Sequence, residues 1–292
     1  MSRFRISTHG RLQDWIAVEK GYFDDEGLGY ELDVKAQENR AQEVPADQPG
    51  DVLVGAYELY RSGGGGKKHM SCACHWAVNQ AATDSAGRMW GQAYSILPSG
   101  IYVLGDSQVR RPEQLAGVEI AVGYHSGSHF STIQALEPFM DPSAISLRFG
   151  GMPYDRIDAL LGGEVPAAAV WTAAGYLLEQ QGARKILDTT FMAGFMFDAD
   201  TDTDDVAKYF AALKRAQMDL DLTPEPYKHY YTREIPERFH ELIDVRAFGP
   251  GERIVFLPYT AEAYHQSQQW MRERGLFQSS EAARDFASAV VV

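Results

Sequence analysis

Cysteine is nearly absent from this chain: of 292 residues only Cys72 and Cys74 carry thiols, and both fall in one stretch, "HMSCACHW". Two apart on an extended strand they are too close for an easy disulfide, and no third cysteine exists to pair with either. Both read as free thiols, which fits a reducing compartment and excludes a disulfide-stapled scaffold. Basic residues are also scarce, with 27 Lys and Arg against 40 Asp and Glu and a formal charge of -13. A nucleic-acid backbone or an anionic membrane surface needs a basic face, so neither is expected as a partner, although one locally positive cleft could still take an anion. No apolar run approaches the roughly 20 residues that span a bilayer, so no membrane insertion is expected. The opening "MSRFRISTHG" lacks a leader's apolar run of about 7 to 15 residues. The expected location is therefore the cytoplasm, or the periplasm or exterior if a native leader has been removed. There is no internal repeat and no low-complexity tract, and 45% hydrophobic with 23% charged residues excludes disorder and coiled coil.

What is present is an alternation of strands and helices. "RFRIST" has the period-two pattern of a strand. "RLQDWIAVEKGYFDDEGL" sets Leu12, Trp15, Ile16 and Val18 on one helical face before Gly21 and Gly27 break it, and "YELDV" reads as the next strand. "DVLVGA" predicts a third strand, "YELYRS" a short helix, and Gly63 to Gly66 a plain turn. The glycine run is no phosphate loop, for "GGGGKKH" lacks the outer glycine and the Lys-Ser/Thr ending. "HMSCACHWAVNQ" reads as a strand running into a loop. Beyond two strand-like runs near 95 to 105, the segment from Pro112 repeats the grammar of strand, polar turn and helix. "VEIAVG" leads through "YHSGS" to a helix with Phe130, Ile133, Leu136 and Phe139, and "AAAVW" leads to "TAAGYLLEQQG". A further run, "ARKILDTTFMAGFMF", reads as one strand, and from Asp202 the chain is mostly helical. Strand-helix units of this kind form parallel sheets. A chain that leaves one lobe and returns to it encloses a cleft, with residues 1–98 and 198–292 in lobe one and 99–197 in lobe two.

Three stretches carry a family resemblance. "WIAVEKGYFDDEGLGYEL", "RRPEQLAGVEIAVGYHSGSHF" and "ALLGGEVPAAAVW" resemble signatures of type II periplasmic binding proteins of the nitrate, sulfonate, taurine and thiamine-pyrimidine branch. Pro-Ala-Ala stands here where that branch usually has Asp-Ala-Ala. The resemblance covers most of residues 1 to 200 and implies an α/β fold of two lobes, each a mainly parallel sheet flanked by helices. Most such proteins are transport receptors, but the fold also hosts enzymes such as thiamine-pyrimidine synthases, chorismate dehydratase and 4,5-dihydroxyphthalate decarboxylase, so fold does not fix function.

In such a fold the ligand lies at the carboxyl ends of the parallel strands. That rule points to His9 and Gly10 after the first strand, to Cys74, His75 and Trp76 after the cysteine strand, to Tyr124, His125, Ser126, Gly127 and Ser128 at a helix N-terminus, and to Trp171 and Thr172. Ser126 or Ser128 would cap that helix, and its backbone N–H groups would suit a carboxylate, sulfonate or phosphate. His75 or His125 would move a proton, with Cys74 as a neighbouring nucleophile. Cys72, Cys74, His75 and His129 form a candidate set for iron or zinc, while small core-strand residues are the plainer reading of both thiols. The expectation is a small anionic carboxylated or heteroaromatic molecule bound between the lobes, acted on by a lyase-type decarboxylation or dehydration. The alternative is a receptor without chemistry, working with an ABC permease if a leader was removed, or a ligand sensor.

Overall fold

The structure is a computed structural model that describes residues 3–33, 69–276 and 284–292. The expected strand "DVLVGA", helix "YELYRS" and glycine turn 63–66 lie outside the described residues. The chain opens with β1 (Phe4–Ser7), α1 (Leu12–Glu19), α2 (Tyr22–Asp25) and β2 (Tyr30–Asp33). β1 and β2 pair in parallel, and Leu12, Trp15 and Ile16 are buried on the core face of α1, as their spacing requires. Gly21, at φ 69, takes the left-handed turn between the two helices, a conformation that costs a glycine nothing.

β3 (Ser71–Cys74) passes directly into α3 (His75–Thr83), which corrects the expected loop: the helix begins at His75 and all nine of its residues are buried. β4 (Arg88–Leu97) belongs to the same sheet as β3, whereas β5 (Ser99–Val103) already belongs to another. That second sheet continues with β6 (Glu119–Val122), α4 (Gly127–Leu136), β7 (Ser146–Phe149), α5 (Pro153–Leu161), β8 (Ala167–Trp171), α6 (Thr172–Gln180) and β9 (Arg184–Asp188). The order is β7-β6-β8-β5-β9, parallel from β7 to β8 and antiparallel at β5. β10 (Phe191–Phe197) returns to the first sheet, so the run from 184 to 197 is two strands in different sheets. The first sheet runs β11-β4-β10-β3 and is antiparallel along that path, a consequence of the chain crossing out through β4 and back through β10 side by side.

α7 (Thr203–Leu222) packs against α1, and 3-10 turns follow at Glu225–Arg233, Glu237–Leu242 and Val245–Ala247. The chain ends with β11 (Arg253–Val255), α8 (Ala261–Glu273), α9 (Phe286–Ala289) and β12 (Val290–Val291). The second sheet is apolar on both faces. Tyr102, Ala121, Ala168 and Val170 join the main core, while Ile101, Val103, Ile120, Val122 and Ala169 build a separate one beneath. This double burial is why its strands read as continuous apolar runs rather than as an alternation. No helix of the described residues is long and apolar enough to cross a membrane.

Candidate functional site

The candidate residues lie at strand ends and helix starts of both lobes. In lobe one, β1 ends at Ser7 and the turn through His9 and Gly10, with Gly10 at φ 78, leads to Arg11 at the N-cap of α1. Arg11 is fully buried and spans two carboxylates: its Nε donates to Asp14 Oδ2 at 2.9 Å and its Nη1 to Glu252 Oε1 at 3.4 Å. The Glu252 carboxylate also lies 3.2 Å from His9 Nδ1 and accepts from the Ser95 hydroxyl. Burial pushes the Glu252 pKa up, but Arg11, His9 and Ser95 together outweigh it and hold the group below the usual carboxylate range.

Cys72 Sγ lies 4.0 Å from Glu252 Oε1. His9, Cys72 and Glu252 place one ligand atom each within 4.8 Å of one another, and among the described residues they are the only such group able to hold a metal. The expected set of Cys72, Cys74, His75 and His129 is not brought together. Nor do the three residues fit iron or zinc. The Arg11 guanidinium already occupies the cation's place on Glu252, and burial drives the Cys72 thiol pKa far up, away from the thiolate a metal needs.

Cys74 closes β3 as a buried strand residue, in register with Ala193 of β10. His75, expected to transfer protons, is nearly buried, with Nδ1 3.2 Å from both the Tyr259 hydroxyl and the Ser267 hydroxyl. Burial lowers its pKa to about 3, so the ring is neutral and tied into the α3–α8 packing rather than poised as an acid. Trp76 is buried between the lobes, its ring 5.7 Å from Phe130, 6.2 Å from Phe191 and 5.9 Å from Trp270.

In lobe two the turn after β6 carries the most unusual backbone. His125 sits at φ 50, and Thr172, after β8, at φ 45; neither a histidine nor a β-branched threonine adopts that region without strain. His125 is the third residue past β6, and Thr172 opens α6 directly after β8. Ser126 holds the N-cap position of α4 but makes no cap bond; its hydroxyl donates back to Gly123 O at 2.5 Å. The first N–H groups of α4 are thus not answered by that side chain. Gly127 is required here, because a Cβ would fall 2.2 Å from the ring of Phe191. His129 is nearly buried, accepts from His125 N–H through Nδ1 at 3.2 Å, and is lowered to about 3 by burial, with His125 adding repulsion. Tyr124 stacks on Phe149 and meets the edge of His129.

Under this turn lies a residue the sequence reading passed over. Arg156 of α5 is 1% exposed, its Nη1 donating to Ser128 Oγ at 2.6 Å and to Ala169 O at 2.7 Å, with the half-buried Trp171 ring 5.1 Å from the guanidinium carbon. No carboxylate among the described residues forms an ion pair with it. Burial without such a partner pulls its pKa down to about 9, against an opposing pull from Asp155, which leaves it a cation at neutral pH. The signal was in the helix pattern, since Pro153, Arg156, Ile157 and Leu160 share the buried face. Glu252 had no such signal, because it is placed by a loop.

Neither a family model nor a curated protein matches the chain. Solved structures do match. The alkanesulfonate-binding protein SsuA from Xanthomonas axonopodis pv. citri, bound to MOPS, aligns with a TM-score of 0.71 at 15% identity over 100% of this chain and 98% of that one. The zinc-bound ligand-binding component of an ABC-type import system from Staphylococcus aureus aligns at 0.69, with 10% identity, 100% of this chain and 97% of that one. The desulfurization enzyme DSZB aligns at 0.58, with 13% identity, 99% of this chain and 98% of that one. The chain therefore has the two-lobed periplasmic-binding-protein fold.

Proposed function

We propose that this protein binds a small organic anion, a sulfonate or carboxylate, between its lobes, with the anionic group on the α4 N-terminus and Arg156. One observation carries the reading: Arg156 is a buried cation with which no carboxylate among the described residues pairs. Burying a charge unpaired is costly, and a ligand anion would offset that cost while completing the α4 N–H groups. Trp171 over Arg156 and Trp76 between the lobes supply flat apolar walls for the rest of the molecule. Support comes from the fold shared with a protein described as alkanesulfonate-binding. In this reading the chain is a receptor and its partner an ABC permease.

The expected lyase keeps one specific observation in its favour, with a different residue in the acid-base role. His9 is partly exposed at the end of β1 and its imidazole is held by the buried Glu252 carboxylate at 3.2 Å, an arrangement suited to proton transfer. An enzyme also shares the fold.

Calorimetric titration with short alkanesulfonates and matched carboxylates tests the binding reading. Binding by the unmodified protein, weakened about 100-fold in Arg156→Met with the melting temperature retained, is the expected result. Equal affinity in that variant would place the anion elsewhere. Turnover of a bound ligand that is lost in His9→Gln would move the assignment to the lyase.

A further inference from the structure

We infer that the protein rests with its lobes joined before any ligand binds, held by a clasp of Glu137, Arg274 and Trp270 at the far end of α4, and that opening of this clasp paces ligand entry and exit. The part that concerns ligand exchange rests on the anion reading above; the clasp itself does not.

Glu137 is the C-cap of α4 and Arg274 the C-cap of α8, so the pair joins a helix of lobe two to a helix of lobe one. Arg274 grips both carboxylate oxygens, Nε on Oε1 and Nη2 on Oε2 at 2.8 Å, and the Trp270 indole N–H donates to the same Oε2 at 3.4 Å. The guanidinium lies over the Trp270 ring, 4.5 Å from its centre. Trp270 in turn lies 5.9 Å from Trp76 of α3, and Trp76 lies 5.7 Å from Phe130 of α4. A two-pronged Arg-carboxylate pair is the strong form of an ion pair, and the ring adds a cation–π contact. Glu137 does nothing for α4 itself, because a negative charge at the carboxyl end of a helix opposes the helix dipole. Its partner on the other lobe accounts for its place.

The other helices of lobe two are tied to lobe one as well. Asp158 of α5 takes Arg238 at 2.8 Å. On α6 the Gln180 amide exchanges two hydrogen bonds of 2.9 Å with the Asp244 backbone, and the Gln181 amide donates to Leu242 O at 2.7 Å. All these ties join protein groups alone, so none needs a ligand in order to form. At the near end of α4, Ser128, Arg156 and Trp76 are buried by the protein itself, and an anion reaches them only when the lobes part. α4 is ten residues long, about 15 Å, with the anion site at one end and the clasp at the other. Lobes that part there must release the clasp.

This arrangement has a kinetic signature. When empty and occupied forms are both joined, the clasp is present in both, and its strength cancels from the dissociation constant. Entry and exit still pass through the parted form, so both rates scale with its population. A clasp formed only around ligand would act differently: its loss would weaken binding through the exit rate alone.

The test combines stopped-flow tryptophan fluorescence, with propanesulfonate as the probe, and backbone hydrogen exchange of the protein without ligand. Arg274→Gln, with folding checked by its melting temperature, should speed association and dissociation alike by about 5–10-fold and leave Kd within about 2-fold. Without ligand, exchange of the amides in 123–130 should rise by the same factor. Glu137→Gln should match it, and the double variant should add nothing further. A weaker Kd with an unchanged association rate, or exchange at 123–130 equal in all four proteins, overturns the inference and leaves the anion reading standing. Failure of propanesulfonate to bind the unmodified protein overturns the anion reading instead, and the exchange rates then decide the clasp alone.

Discussion

Two histidines at the heart of this molecule are neutral, and the consequence is measurable. His75 and His129 are 7% and 8% exposed, and burial lowers each from 6.5 to about 3. His129 Nδ1 accepts from the His125 backbone N–H, so a proton can be added there only by breaking that bond. His75 Nδ1 faces two hydroxyls and no carboxylate. Between the folded and unfolded values the unfolded chain binds more protons, so stability is fully present above pH 6.5 and falls as pH drops toward 3. A group with those two values loses about 2 kcal/mol between pH 8 and pH 5. Both together lose about 4 kcal/mol, a large share of the roughly 5–15 kcal/mol that holds a domain folded. The perturbation is His129→Asn, whose Oδ1 can still accept from His125 but takes up no proton. Urea denaturation at pH 8 and pH 5, at constant ionic strength, should show the pH-dependent loss reduced by about 2 kcal/mol in the variant. An unchanged difference, or an imidazole NMR titration of His129 above pH 5, would refute the argument.

Two further outcomes follow from the packing. Cys72 and Cys74 are buried, and the Cys72 thiol is held protonated, so neither should react with a thiol reagent in the native protein, while both should react after denaturation; fast labelling of the native form would mean that β3 opens to solvent. Gly127→Ala should destabilise the protein by about 1–3 kcal/mol, because its Cβ would overlap the Phe191 ring and the close approach of α4 to β10 leaves no room. A melting temperature equal to that of the unmodified chain would show that Phe191 swings aside freely.

Local pattern carried the elements and their class. The spacing of Leu12, Trp15 and Ile16, the turn "YHSGS" before a helix, and the apolar run "AAAVW" each reflect a periodicity that a single segment imposes on itself. The same information placed His125 ahead of its helix and Trp171 at a strand end, which is where they lie. It failed at the start of α3, because "HWAVNQAAT" is buried all round and so lacks the polar face that marks a helix in sequence. It failed also for the thiols and His75, since their chemistry is set by what surrounds them. Cys72 shares its space with Arg11 and Glu252, a residue 180 positions away, and His75 with Tyr259, 184 positions away. The sequence by itself determined most of the described strands and helices, because backbone geometry and hydrophobic period are local, though it read the start of α3 as a loop and ran β9 and β10 together. Only the tertiary structure decided which charges stand paired and which do not: Arg11 met Glu252 from 241 positions away, while Arg156 was buried with no carboxylate among the described residues paired to it. Ionisation depends on that surrounding field and not on neighbours in the chain.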